Sequence, residues 1–490
     1  MNLRELLAGH EYQVLHGDPG QADVYAGIAY DSRRLSPGSL YIAMIGSRTD
    51  GHRFVTDALA QGAGAVLVQH PPAELLPENA CVVQVADTRA AAPWVAAHYF
   101  GYPSRELKVA AVTGTNGKTS VSYMLSAILR GAARARVGVI GTDGCRVDDE
   151  PIQVDTTTPT TPEAAELQLI LRTMRERGAG VVVMEASSMA LELHRVDHTD
   201  IDVGIFTNLT PDHLDNHGTM DAYKQAKLRL FDGMCHQAVA NADDPVGAEI
   251  AALMPGAVTT YGMAAADFQA AELRAHAAGT SFVLRHDGRR FAAQVPIPGR
   301  FAVSNALASV AAAHLLGYDL GALISTLAKL APIPGRFQTY QSPTGVSVVV
   351  DYAHSPDSLH KVLAAIREFA DGKVITVFGC GGDRDPSKRA PMGRIAGTGS
   401  DVVVVTSDNP RSEDPEAIID AITAGVAGTA AVVERITDRR QAIARALQLA
   451  QPGDVVLVAG KGAEPYQIIG AAKVPFDDMT TVRDLTTQNV

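Results

Sequence analysis

Short, nearly continuous apolar runs recur along this 490-residue chain, and between them apolar positions repeat at helical spacing. Over residues 1–104 the runs are GIAY (27–30), LYIAM (40–44), AVLVQ (65–69) and VVQV (82–85), read as strands, with a helix between Asp50 and Gly62. From 105 to 335 the predicted strands are 109–113, 137–141, 181–185 and 203–207, with helices between them. That alternation argues for a parallel sheet with crossover helices. Residues 272–295 are less helical, His286-Asp287-Gly288 reads as a hairpin turn, and 302–316 returns to a helix. Beyond 335, VSVVVD (346–351), KVITVFG (373–379), DVVVVT (401–406) and DVVLVAG (454–460) are apolar at successive positions. Strands covered on both faces read this way.

Two breaks divide the pattern. Gly101-Tyr102-Pro103-Ser104 and Ala331-Pro332-Ile333-Pro334-Gly335-Arg336 are turn-rich linkers. They set expected domains at 1–104, 105–335 and 336–490, in line with about 150 residues per domain. A net charge of -12 excludes the broad basic surface of a nucleic-acid binder, so any anionic ligand must be held by local Arg and Lys clusters. The start, MNLRELLAGHEYQ, lacks the apolar stretch of a signal peptide, and no apolar run approaches about 18 residues. Cys81, Cys145, Cys235 and Cys380 are scattered without CxxC spacing. A cytoplasmic protein with reduced thiols and no membrane insertion is expected.

The chemistry gathers where the strands end. The run 109–112 opens into Thr113-Gly114-Thr115-Asn116-Gly117-Lys118-Thr119-Ser120 and then a helical pattern. Glycines let backbone amides converge on an oligoanion, the helix N-terminus adds positive partial charge, and Lys118 reaches the outer phosphates. The Thr119 hydroxyl is placed to ligand Mg²⁺. Val112 stands where the usual phosphate loop has its first glycine. Glu185, Ser187 and Ser188 end one later strand, and Asn208, Asp212, His213, Asp215 and His217 follow the next. In parallel sheets functional side chains collect at these carboxyl ends. Ser32, Arg33, Ser47, Arg48 and Thr49 are hydroxyls and cations that suit either a phosphorylated ligand or a plain polar loop pair. The Thr-rich loop DTTTPTTPE (155–163) suggests anion contacts through hydroxyls. Four strands of the last domain end in Tyr352-Ala353-His354, in 381–385, in Asp408-Asn409-Pro410-Arg411, and in Lys461-Gly462-Ala463-Glu464. That is a second polar edge, which suggests a nucleotide joined to another substrate between domains.

Taken together, TGTNGKTS, MEASS, FTNLTPDHLDNHG, the Ala226-Lys227-x-x-Leu230-Phe231 pattern, DYAHSPD and FGCGGDRD resemble the Mur ligase family in kind and order, over all three inferred domains. The missing first glycine is part of that resemblance. It implies a three-domain α/β architecture with a P-loop-type parallel-sheet central domain and a Rossmann-like C-terminal domain. It also implies ATP and Mg²⁺ as cofactors. By position, Gly114, Thr115, Asn116, Gly117, Lys118, Thr119 and Ser120 would cradle the nucleotide's phosphates, and Asn305, Arg336 and Asp351 would meet its adenine, phosphate and ribose parts. Thr119, Glu185, His213 and a carbamylated Lys227 would hold Mg²⁺, with Lys118, Lys227 and His213 catalytic. From the residues alone Lys227 is a lysine on an amphipathic helix, where Lys224 serves equally.

The resemblance further implies two small-molecule substrates and a monomer. Tyr30, Ser32, Ser47, Arg48, Thr49, Thr160, Thr161, Ser187 and Arg195 match contacts to a UDP-N-acetylmuramoyl dipeptide. Arg384, Asp408, Asn409, Pro410, Arg411, Gly460 and Glu464 match contacts to the added amino acid. DNPR resembles the family's signature for meso-2,6-diaminopimelate. A guanidinium fork pairs bidentately with a carboxylate, and diaminopimelate has one carboxylate more than lysine. The implied reaction is ATP-dependent amide formation at the D-Glu of the dipeptide through an acyl phosphate, in peptidoglycan biosynthesis. Pro159, Leu193 and Ala463 depart from the family pattern.

Overall fold

A computed structural model describes residues 1–46, 49–276 and 278–487. Three main sheets divide the chain. The first is ordered Gln13–His16, Val82–Gln84, Ala65–Val68, Leu40–Ile42 and Ile28–Ala29, parallel except for its first strand. The four predicted runs lie inside it. Gln13–His16 is an addition: it is largely exposed, so it lacks the apolar run that marks its neighbours. The helix expected between Asp50 and Gly62 is a 3₁₀ turn, Gly51–Phe54, followed by the α-helix Val55–Ala60.

The second sheet has a parallel centre ordered Val258–Gly262, Cys235–Asn241, Ile201–Phe206, Lys108–Thr113, Val181–Glu185 and Val137–Gly141. Lys108–Thr113 lies between the strands that end at Phe206 and Glu185, so both of their polar ends flank the loop that follows it. The helix Lys118–Ala133 packs Val121, Met124, Leu125 and Ile128 onto the sheet. Phe268–His276, Gly279–His286 and Arg289–Val295 extend the sheet at one edge. The turn at Asp287-Gly288 has φ of 47° and 70°, the left-handed pair of a tight hairpin, as the sequence predicts. A small hairpin, Gly144–Val147 with Glu150–Pro151, extends the other edge.

The third sheet is ordered Gln338–Gln341, Ser347–Asp351, Val455–Ala459, Val374–Phe378, Val402–Val405 and Val432–Arg435. All its neighbours are parallel except the first pair. Its inner strands are buried along almost their whole length, with helices on both faces. No helix among the described residues is long and apolar enough to cross a membrane.

A candidate active site between the second and third sheets

The loop after Thr113 is shaped by its neighbours. Gly114, at φ 145°, has no room for a Cβ because Thr207 Oγ1 occupies that space. A Cβ on Gly117 (φ 91°) would stand 2.6 Å from Asn305 Oδ1. Bulkier residues at either point would push the loop off its bed. Asn208 braces it from the next strand: its Oδ1 accepts from Asn116 N at 3.0 Å and its Nδ2 donates to Asn116 O at 3.0 Å. Lys118, the first residue of the helix, donates from Nζ to Gly114 O at 2.8 Å and Thr115 O at 2.9 Å. Burial pushes the Lys118 ammonium below its ordinary pKa, opposed by Glu185 and Asp212.

Glu185 is 1% exposed, and its carboxylate meets Thr119 Oγ1 at 3.1 Å, Thr142 Oγ1 at 3.1 Å and Thr142 N at 3.0 Å. It has no ion pair among the described residues. A buried carboxylate beside a hydroxyl, with no cation at ion-pair distance among the described residues, is a hard-oxygen donor set that suits Mg²⁺. Gly141 makes this approach possible, since a Cβ there would run into Glu185 Oε1. Arg336, arriving from the linker, donates to Thr119 Oγ1 at 3.2 Å and stacks 4.2 Å over the Tyr352 ring. Asp351 accepts from Phe337 N at 2.6 Å and Ala353 N at 2.7 Å, and its burial pushes the carboxyl pKa up.

The helix Met220–Leu228 separates the two lysines that its sequence leaves equivalent. Lys227 is 1% exposed, with Nζ 4.1 Å over the Tyr223 ring and no ion pair among the described residues. Lys224 faces outward, 3.0 Å from Glu249. Burial and the nearby Lys118 charge hold Lys227 well below the usual lysine pKa, against Asp212. His213, at φ 54°, lies 3.8 Å from Asp212, and desolvation by its surroundings, with Lys118, His354 and Lys227, lowers its pKa despite Asp212.

Thr160, Thr161, Ser187 and Arg195 form one patch beside Glu185. Thr160 Oγ1 is 3.2 Å from Thr142 Oγ1. Thr161 is fully buried, its hydroxyl donating to Glu185 O at 2.8 Å, and Arg195 pairs with Glu163 at 2.9 Å. Tyr30 joins this patch to the first sheet by accepting from Ala165 N at 3.0 Å. Ser32 is buried in the turn Ser32–Arg34, and Thr49 is exposed. Ser47 and Arg48 lie outside the described residues. Pro159 lines a cavity of about 140 Å³ with Thr156, Thr158 and Thr160. Leu193 caps the short helix Ser188–Glu192.

On the third sheet, Arg411 adopts φ 52° and donates from Nη1 to Gly382 O at 2.7 Å. A Cβ at Gly382 would run into Pro410 O, and one at Gly460 would stand 2.7 Å from Asp408 Oδ2, so these two glycines let the strand ends close together. Asn409 Nδ2 donates to Glu464 Oε2 at 2.9 Å. Arg384 lines a cavity of about 540 Å³ that also has walls from Leu214 and Asp215 of the middle sheet. The backbone nitrogen of Ala463 lies against Gly335, where a Cβ would collide with it. The phosphate loop and the 408–411 cluster therefore belong to facing sheet edges. Thr142 is a participant that motif reading passes over, because it is defined by what it touches rather than by its sequence neighbours; Asp357 and Lys461 stand inside stretches read from the sequence, but without a role.

Family models match in the same order as the three sheets. They are the Mur ligase family catalytic domain at residues 24–100, the Mur ligase middle domain at 112–313 and the Mur ligase glutamate ligase domain at 335–462. A UDP-N-acetylmuramoyl-L-alanyl-D-glutamate–2,6-diaminopimelate ligase of Syntrophomonas wolfei is 43% identical over 497 residues, covering 99% of each chain. A ligase of the same description, numbered 2, from Clostridium acetobutylicum is 40% identical over 486 residues, covering 99% of this chain and 100% of that one. A solved structure of a UDP-N-acetylmuramoyl-L-alanyl-D-glutamate–2,6-diaminopimelate ligase superposes with TM-score 0.71 at 34% identity, covering 100% and 99% of the two chains. MurF of Thermotoga maritima in complex with ADP shares the fold at TM-score 0.64 and 19% identity, covering 94% and 97%. With all three domains matched and relatives aligned end to end, the chain belongs to the Mur ligase family.

Proposed function

We propose that this chain is an ATP-dependent ligase that joins meso-2,6-diaminopimelate to the D-Glu of UDP-N-acetylmuramoyl-L-Ala-D-Glu, a step of peptidoglycan biosynthesis. The observation that carries the reading is the pairing of two edges: Lys118, Thr119 and Glu185 on one, Arg384, Arg411 and Glu464 on the other, with the Arg384 cavity between the sheets. Full-length relatives named as 2,6-diaminopimelate ligases support the choice of amino acid.

In this reading the first domain (1–104) holds UDP through Ser32 and the 47–49 loop, with Tyr30 at the seam. The second (105–335) holds ATP, and the third (336–490) the amino acid. ATP supplies the phosphoryl group that turns the D-Glu side-chain carboxylate into a reactive anhydride, and Mg²⁺ supplies countercharge. Residues 114–120 present N–H groups to the phosphates, and Lys118 turns from its carbonyl partners toward them. Thr119 and Glu185 hold the metal, with His213 in its neutral form. Lys227 is poised to take up CO₂: a desolvated, unprotonated amine adds it and loses a proton, becoming a carbamate. That places an anion beside the Lys118 cation. Asn305, Arg336 and Asp351 orient the nucleoside. Thr160, Thr161, Ser187 and Arg195 align the dipeptide, and the diaminopimelate amine then displaces phosphate. Contact between the domains excludes the water that would otherwise hydrolyse the anhydride.

The setting is cytoplasmic and the enzyme a monomer. Four free cysteines, three of them buried, suit a reducing compartment. The test is phosphate release: it should require ATP, Mg²⁺, the UDP-dipeptide and diaminopimelate together, and Lys118→Ala should abolish it. Release without the UDP-dipeptide would refute the reading.

A further inference from the structure

Lys461 follows the strand Val455–Ala459 and is fully buried. Its Nζ donates to Glu464 Oε2 at 2.8 Å and to Asn409 Oδ1 at 3.2 Å. Asn409 Nδ2 donates to the same Oε2 at 2.9 Å, and Asn409 Oδ1 also accepts from Ile468 N at 2.9 Å. Glu464 Oε2 is thus committed to two donors, while Oε1 has no hydrogen bond among the described residues. Burial pushes the Glu464 carboxyl pKa up, but the hydrogen bond and charge of Lys461, with Asn409 and Arg411, bring it below the ordinary value. The carboxylate is therefore ionised and held in one orientation with one oxygen to offer.

The formal charges at this sheet edge decide what it accepts. Lys461, Arg411 and Arg384 are cations, and Glu464, Asp408 and Asp383, whose pKa Arg411 and Arg384 help to lower, are anions, so the six sum to zero. Arg439, which also faces Asp408 and Glu464, is neutralised by Asp478 at 2.7 Å. Tyr352 and Tyr466, the other titratable groups here, are kept in their uncharged form by burial. An amino acid whose distal end carries both an ammonium and a carboxylate leaves the sum at zero. One whose distal end is an ammonium alone sets two buried ammonium groups against one carboxylate, which a poorly solvated site tolerates badly.

We propose that Lys461 is a specificity-determining residue for the amino-acid substrate: it fixes Glu464 for the distal ammonium and sets a charge balance that favours a zwitterionic distal end over a cationic one. This rests on the proposed function. Its character is exclusion of the wrong substrate as much as attraction of the right one. The variant Lys461→Met leaves a local sum of −1, which a simple ammonium neutralises and a zwitterion does not.

The experiment compares kcat/KM for meso-diaminopimelate and L-lysine, with ATP and UDP-dipeptide saturating, in wild type, Lys461→Met, Lys461→Gln and Lys461→Arg. Thermal unfolding of each variant identifies those that fold. The expected result is a fall of about tenfold or more in the diaminopimelate-to-lysine ratio for Met and Gln, through KM more than kcat, with Arg retaining most of the preference. Equal losses on both substrates, with the ratio unchanged in either folded neutral variant, would mean a purely structural role and overturn the proposal. A wild type that shows no preference for diaminopimelate would instead overturn the function reading, and this inference with it.

Discussion

Asp357 accepts a hydrogen bond from Asn116 Nδ2 at 2.9 Å, joining the first turn of the helix Pro356–Arg367 to the phosphate loop of the middle sheet. The same carboxylate oxygen pairs with Lys361 at 2.8 Å and is 3.5 Å from Thr210 Oγ1. The third domain is thereby coupled to the residues that would feel the nucleotide's phosphates. A hydrogen bond to a charged group contributes about 1.5–3 kcal/mol. Asp357→Ala should therefore lower thermal stability by up to about that much and, by loosening the 114–118 loop, lower kcat about tenfold. Steady-state rates beside a melting curve check this, and an unchanged kcat would show that the tie has no part in turnover.

Gly141 should be intolerant of even one methyl group. Its Cβ would occupy the space of Glu185 Oε1, and both residues are buried, so the carboxylate must swing away from Thr119. Gly141→Ala should raise the Mg²⁺ concentration for half-maximal activity at least tenfold. A titration of activity against Mg²⁺ reads it directly, and Thr142→Val, which removes one hydroxyl from Glu185, should shift the curve in the same direction by less.

Lys227 and Lys224 should behave oppositely despite lying one helical turn apart. Lys227→Ala should lose activity by about a hundredfold or more, and wild-type protein in CO₂-containing buffer should carry the extra mass of one CO₂ at Lys227. Lys224→Ala should keep most of its activity, because the ion pair it loses lies at the surface, where solvent screens it. A free amine at Lys227 together with an active alanine variant would remove the carbamate from the account.

Most strands at the sheet centres were legible as apolar runs because both of their faces are covered, as in Val455–Ala459 and Val181–Glu185, buried at every position; Cys235–Asn241, exposed at His236 and Gln237, was not read. Two strands with an open face were not legible. Gln13–His16 is mostly exposed, and Phe268–His276 alternates buried with open positions, so neither forms a continuous run. The strand–loop–helix shape of 108–133 was legible, since a strand end, two glycines and a helical pattern adjoin in sequence. Partners distant in sequence were not. Asp357 lies 241 residues from Asn116, and Lys461 and Asn409 are 52 apart. The choice between Lys224 and Lys227 needed burial, which an amphipathic pattern leaves open at that spacing.

His52 should make stability fall on mild acidification. Its side chain is 3% exposed; Nδ1 lies 2.6 Å from Asp50 Oδ1, and Nε2 accepts from Gln69 N at 2.8 Å. Burial lowers its pKa from 6.5, with help from His70 stacked at 3.7 Å and against the pull of Asp50. The unfolded chain therefore binds the proton more readily. This contribution to stability is full above pH 6.5 and is lost as pH falls through that value toward the lower folded pKa. His52→Gln should cost about 1–3 kcal/mol at neutral pH, by stranding the Gln69 amide, and should flatten this part of the pH profile. Denaturant melts at several pH values check both.

Amino-acid choice is the central claim, and it is measured most directly by product mass. With ATP, Mg²⁺ and UDP-N-acetylmuramoyl-L-Ala-D-Glu fixed, equal concentrations of meso-2,6-diaminopimelate and L-lysine compete for the enzyme. The account predicts a product carrying diaminopimelate in large excess, with Arg411→Ala erasing that excess. A product carrying chiefly lysine would contradict it.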